Sequence, residues 1–231
     1  MKYKRDIKNK MENETKYTAY KQLSAIARII IVFLLILSSC TNDTEKKLKN
    51  NLIVTYCFTP EEIKDLAKLL DFFNEQICFS EGIDKKETIK CYDSFINRMI
   101  ETVKAGSLEV KIPFSKQQEV YNQISDCFFN QIWVFSKSRI KWGSPDTFKH
   151  IDYRRDGKYM EFLKELGKEY EMVKNYRDDF GIAGGISPSM SRDILMIKED
   201  YQYDLNDVRL QLIIAIHYLT MNDKFERKEK Y

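Results

Sequence analysis

The sequence predicts an all-α protein with a single helical domain of five to seven helices. Three observations carry that expectation. Apolar residues recur at spacings of three and four along most of the chain. Capping residues and prolines punctuate the stripes where helices start and glycines where they end. The chain of 231 residues holds only 8 Gly and 4 Pro, with 43% apolar and 32% charged residues. That balance suits one domain of ordinary size and excludes a polytopic membrane protein, a disordered chain and a collagen-like repeat.

Taken in order, Thr59-Pro60-Glu61-Glu62 supplies an N-cap, a first-turn proline and a capping-box glutamate. Ile63, Leu66, Leu70, Phe73 and Ile77 follow as one stripe. A second helix is expected after Asp84, with Ile89, Tyr92, Ile96, Met99, Ile100 and Val103 inward and Gly106 at its end. The short interval Ser80 to Ile83 makes the two an antiparallel hairpin. Leu108 to Ile112 alternates like a strand but has no evident pairing partner, and is read as an extended connector. A third helix is expected from Ser115 to about Phe135, followed by a loop from Ser136 to Asp146 bracketed by Trp133 and Trp142. A long fourth runs from about Gly157 to Asp179, a fifth starts at Ser187-Pro188, and Asp204 caps a sixth carrying Leu212, Ile216 and Leu219. The folded domain is therefore expected over 52–222, with a charged tail over 223–231 that frays.

Ahead of the domain, a basic stretch gives way at Ile29 to nine consecutive apolar residues ending at Leu37, too few to span a bilayer comfortably. Leu37-Ser38-Ser39-Cys40 follows. This arrangement resembles the signal peptide and lipobox of bacterial lipoproteins. The resemblance implies a signal peptide over 1–39, with Met11 as an alternative start, cleavage between Ser39 and Cys40, and a lipid on the Cys40 thiol. The mature chain would be held at the cell envelope outside the cytoplasm, anchored to the membrane without crossing it. Polar residues 40–51 read as a flexible tether. Residues 1–39 hold eight of the 38 Lys/Arg and three of the 35 Asp/Glu, so the mature chain keeps 30 and 32, a net charge of about −2. The basicity belongs to the leader, and nucleic acid is not an expected partner.

Beyond Cys40, the cysteines Cys57, Cys78, Cys91 and Cys127 make an even set with three possible disulfide pairings, or four buried thiols. Cys78 and Cys91 sit on adjacent helices, but at heights that differ by roughly 6 Å if the second helix starts after Asp84, which disfavours a bridge. Gly181 to Pro188 is a glycine-rich loop without the Gly-Lys-Ser/Thr ending of a phosphate cradle. Within it Ile182, Gly184, Gly185 and Ile186 form a candidate contact loop. His150 and His217 lack partners at metal-ligand spacing, and Glu161, Glu165 and Glu169 alternate with Lys164 and Lys168 as a solvated face does. No catalytic residue, metal site or cofactor is expected. Tyr153, Tyr159, Tyr201 and Tyr203, with the Trp133–Trp142 region, fall near loops and suggest an exposed contact surface. The functional expectation is a membrane-anchored module that binds a protein partner, with two alternatives. One is an envelope hydrolase whose carboxylates meet only in the fold; the other is a carrier of an apolar ligand.

Overall fold

The computed structural model describes residues 43–107, 109–139 and 146–230. The leader, Ser39, Cys40, Leu108, Trp142, Gly143 and Pro145 lie outside the described residues. The protein is mostly helical rather than all-α. Among the described residues are ten α-helices, one 3-10 turn and one two-stranded sheet.

The presumed tether is structured from Asp43. Helix α1 (Asp43–Lys49) packs against α3 and buries Leu48 completely. Asn51 then caps α2 (Leu52–Cys57), its side chain accepting from the amides of Ile53 and Val54. Helix α3 (Pro60–Glu81) starts as the sequence dictates, with a complete capping box between Thr59 and Glu62. It ends at Gly82 in the left-handed conformation.

A 3-10 turn (Lys85–Glu87) delays α4 to Thr88–Lys104. This overturns the expected height mismatch of the cysteines. Cys78 lies three residues before the end of α3 and Cys91 three after the start of α4, so the two face each other. They are bridged, with their Cα atoms 4.9 Å apart. Cys57 is buried and free, and Cys127 is exposed and free.

Two long helices expected from unbroken stripes are each broken. The third divides into α5 (Phe114–Tyr121) and α6 (Asp126–Ile132), because Ser125 caps a new start and its amide donates to Asp65 Oδ2 at 3.0 Å. From Trp133 the chain becomes strand β1 (Trp133–Arg139), antiparallel to β2 (Thr147–Tyr153), with Trp133 opposite Tyr153. Aromatic and β-branched residues at the ends of this hairpin favour the pleat over the expected helix and loop. The fourth divides into α7 (Lys158–Leu166) and α8 (Glu171–Ala183), which pack on each other. Gly167 permits the fold-back: a Cβ there would stand 3.0 Å from Leu163 O and 3.1 Å from the Lys174 backbone.

Helix α9 (Pro188–Leu195) begins at Ser187-Pro188 as read from sequence. Helix α10 (Val208–Glu226) is capped by Asp207, not Asp204, and runs past the expected domain end. Residues 210–223 are buried on every side, so α10 is the axis of the core rather than an amphipathic surface helix. Helices α1, α3 and α5 and strand β2 pack around it. Its polar residues are matched to these neighbours. Thr220 accepts from Trp133 Nε1 at 2.8 Å, and Asn222 donates to Ile112 O and Gln117 Oε1. The tail does not fray as expected. Asp223 is fully buried, accepts from the Ile151 amide at 3.0 Å and pairs with Arg227 at 2.7 Å. Beyond it, the Lys149 amide donates to Glu229 O, and Lys230 bridges to Phe148 at the edge of β2.

Candidate functional site

Three elements end close together and leave a groove between them. The last turns of α4 and α10 supply Ile100, Val103, Lys104, Met221, Lys224 and Phe225. Helix α9 with the residues flanking it supplies Ile186, Ser187, Pro188, Ser191, Arg192, Leu195 and Met196. The space is about 490 Å³, inside the ~300–1,000 Å³ range of small-molecule sites. Its walls are apolar apart from two serines and three cations, and no carboxylate is among the lining residues. Val103 and Phe225 keep 42% and 47% of their surface exposed at its rim.

Helix punctuation explains the shape. Helix α8 ends at Gly184 (φ +76°), a backbone geometry that L side chains rarely adopt. The chain then turns over Asp152, whose Oδ2 would lie 2.9 Å from a Cβ placed on Gly185. Ser187 accepts from the Met190 amide at 3.3 Å and aims α9 along the groove. Burial holds the pKa of Asp152 above the usual carboxylate range and lowers that of nearby His150.

Beneath the groove runs a chain of polar groups. Ser191 Oγ lies 3.3 Å from His217 Nε2, His217 Nδ1 lies 3.0 Å from the Tyr176 hydroxyl, and Tyr176 lies 2.7 Å from the Tyr153 hydroxyl. A serine beside a histidine invites comparison with a hydrolytic triad, but the chemistry differs. Burial pushes the His217 pKa down to about 3, so its imidazole is a poor proton acceptor. A phenol, not a carboxylate, stands at its second nitrogen. The Ser191 hydroxyl also reaches back to Ser187 O within its own helix. This chain anchors α9 to the core and supplies no activated nucleophile.

The candidate contact loop is dispersed. Ile182 is 86% exposed on the last turn of α8, whereas Ile186 packs partly into the core and lines the groove. Gly184 is the helix cap, and Gly185 sits on Asp152. The supposed aromatic surface is mostly interior. Trp133, Tyr153 and Tyr159 are buried, Tyr153 and Tyr159 with ring centres 5.1 Å apart, while Tyr201 and Tyr203 are half-buried against each other.

A separate cleft of about 700 Å³ beside α7 and α8 is lined by charges of both signs, among them Lys158, Glu161, Lys164, Arg177 and Asp178. These are paired, as in Lys164 to Glu161 at 3.0 Å and Arg177 to Asp178 at 2.6 Å. The carboxylate row is likewise spent on Lys164, Lys168 and Arg209. Among the described residues no group of three His, Cys, Asp or Glu side chains is placed to hold a metal ion. Nor is any helix among the described residues long and apolar enough to cross a membrane.

Fold and site together define a mostly helical domain with an apolar, cation-rimmed groove. Comparison with protein families, curated proteins and solved structures finds no match. Sequence reasoning did not find the groove. Its walls lie far apart in the chain, and the only local signals were the exposed end of one helical stripe at Val103 and the Ser187-Pro188 start.

Proposed function

We propose that the mature chain is a lipid-anchored, extracytoplasmic binding module that holds an apolar ligand in the groove between α4, α9 and α10. The carrying observation is the groove: apolar, of small-molecule size and ringed by positive charge. The anchor rests on Leu37-Ser38-Ser39-Cys40, and a Cys78–Cys91 disulfide suits an oxidising compartment such as the space outside the cytoplasm. A hydrolase is the weaker reading, since the carboxylates are paired with cations and His217 is too weak a base. A protein partner is the second reading, supported by Val103 and Phe225 exposed at the rim.

Two measurements test the proposal. Labelled fatty acid should be incorporated into the native chain and not into Cys40→Ala, with the variant released from the membrane fraction. Native mass spectrometry of the protein, purified without added lipid, should show an apolar adduct that Phe225→Asp abolishes. An unlabelled chain would remove the anchor; an adduct indifferent to Phe225→Asp would remove the groove as the carrying site. Crosslinking in intact cells that links the rim of the groove to one protein near stoichiometrically would favour the second reading.

A further inference from the structure

Resting on the proposal that the groove carries a ligand, the geometry points to that ligand's chemistry: we infer a single-chain amphiphile with a carboxylate head, a long-chain fatty acid. Charge, volume and adaptability argue for it separately.

Charge comes first. Lys104, Arg192 and Lys224 line the groove and no acidic residue does. Lys104 pairs with Glu101 and Arg192 with Asp200, both at exposed positions where an ion pair is worth little and exchanges easily. Lys224 makes no ion pair among the described residues; the nearby carboxylate in its field is Asp152, whose pKa burial raises. An anionic head placed among these three gains two or three cations at small cost, and a cationic head is repelled by all of them. Arg192 also offers the planar fork that suits a carboxylate.

Volume decides between one chain and two. Taking roughly 30 Å³ for a small heavy-atom group, as for a water molecule, a space of 490 Å³ holds on the order of 16 such groups. That is one acyl chain. A diacyl phospholipid would leave its second chain in water, so a free fatty acid is the favoured source over a membrane lipid. The lining also suits a chain that has no fixed shape: Met196 and Met221 are unbranched thioethers that repack around irregular contents. The Ser191 hydroxyl, backed by His217, adds a neutral polar contact to the wall.

The test is titration of the full mature chain carrying Cys40→Ala, which needs no detergent, below the critical micelle concentration of each probe. Hexadecanoate, hexadecanol and hexadecyltrimethylammonium share one chain and differ in the head. Hexadecanoate should bind at least ten-fold more tightly than the alcohol and the cation weakest, with the preference shrinking at high salt as screening removes it. Across carboxylates of rising length, each methylene should tighten binding by up to about four-fold until the groove is filled. The paired change Lys104→Glu with Lys224→Glu, at exposed positions, should reverse the order of the heads, so that the cation binds more tightly than hexadecanoate; an unchanged order would overturn the carboxylate assignment.

Equal binding of all three heads would overturn the carboxylate assignment and leave the carrier reading standing. Absence of binding by all three, with the protein folded by circular dichroism, would overturn both. Equal or tighter binding to phosphatidylglycerol vesicles than to hexadecanoate would overturn the choice of a free fatty acid.

Discussion

Helix α10 meets two opposite environments within one turn. At Asp223 every polar group is enclosed and matched, to Arg227 on one side and to the Ile151 amide on the other. At Lys224 and Phe225 the same helix presents a cation without an ion pair among the described residues and a half-exposed ring to the groove. Helix α4 repeats the contrast, its start pinned by the Cys78–Cys91 bridge and its last turn lining the groove. In α10 the two environments lie side by side in the last turn, and in α4 at opposite ends of the helix, so stability and the proposed binding fall to different side chains of the same helices. Substitutions should therefore separate the two properties cleanly.

The largest expected effect is at the enclosed side of that turn. Asp223→Ala leaves Arg227 with only the more exposed Glu229 as its ion-pair partner and the Ile151 amide without its acceptor. Removing one member of a buried pair costs about 3–5 kcal/mol, readable as a shift in the denaturant midpoint at constant slope. A loss below 1 kcal/mol would show that Asp223 is no more committed to the core than its groove-facing neighbours are.

Next comes the disulfide. Replacing Cys78 and Cys91 by Ser opens a short loop, the two positions being 13 residues apart, and should cost about 3 kcal/mol. Because the bridge sits at the opposite end of α4 from Val103, groove affinity should stay within two-fold of the unmodified protein. A parallel collapse of both would mean that the two ends of α4 do not act independently.

Titration of His217 sharpens the contrast further. Its pKa is about 3 in the folded chain against 6.5 when exposed, so the unfolded state binds the proton first as pH falls. The stability that the neutral imidazole provides is complete above its unfolded value and drains away below it. Between about pH 7.5 and 4.5 that amounts to about 3 kcal/mol. His150 adds to the loss in the same direction and Asp152 opposes it, since burial raises its pKa. His217→Gln, which keeps a hydrogen-bonding side chain but cannot titrate in this range, should flatten most of that slope in chemical denaturation. An unchanged slope would place the acid sensitivity elsewhere.

How much of this was legible in the sequence depends on the range of the deciding interaction. Thr59-Pro60 and Ser187-Pro188 were readable as helix starts because cap and capped amide lie within three residues. The Cys78–Cys91 bridge was disfavoured from sequence because three residues of 3-10 turn reset the height of Cys91. The complete burial of helix α10 was not legible, because Gln211, His217, Thr220, Asn222 and Asp223 are polar and scattered around it. Each is in fact satisfied inside, as with Gln211 Nε2 on Leu205 O at 2.7 Å. The groove was invisible because Val103, Met196 and Phe225 are brought together only by the packing of α4, α9 and α10.

The smallest expected effect on stability is the most informative about function. Phe225 stands two residues beyond Asp223 on the same helix, yet it is 47% exposed. Phe225→Ser removes partly solvated apolar surface and leaves no buried group unsatisfied, so its cost in stability should fall within about 0.5 kcal/mol, as for ordinary surface positions. Its effect on hexadecanoate binding should be far larger in proportion, since the ring is one of the groove's walls. A ten-fold or greater loss of affinity in a variant whose melting midpoint hardly moves would show that this exposed ring is retained for a ligand. If instead stability dropped by several kcal/mol, Phe225 would belong with Asp223 to the core, and the division of the last turn of α10 into a structural side and a groove side would fail.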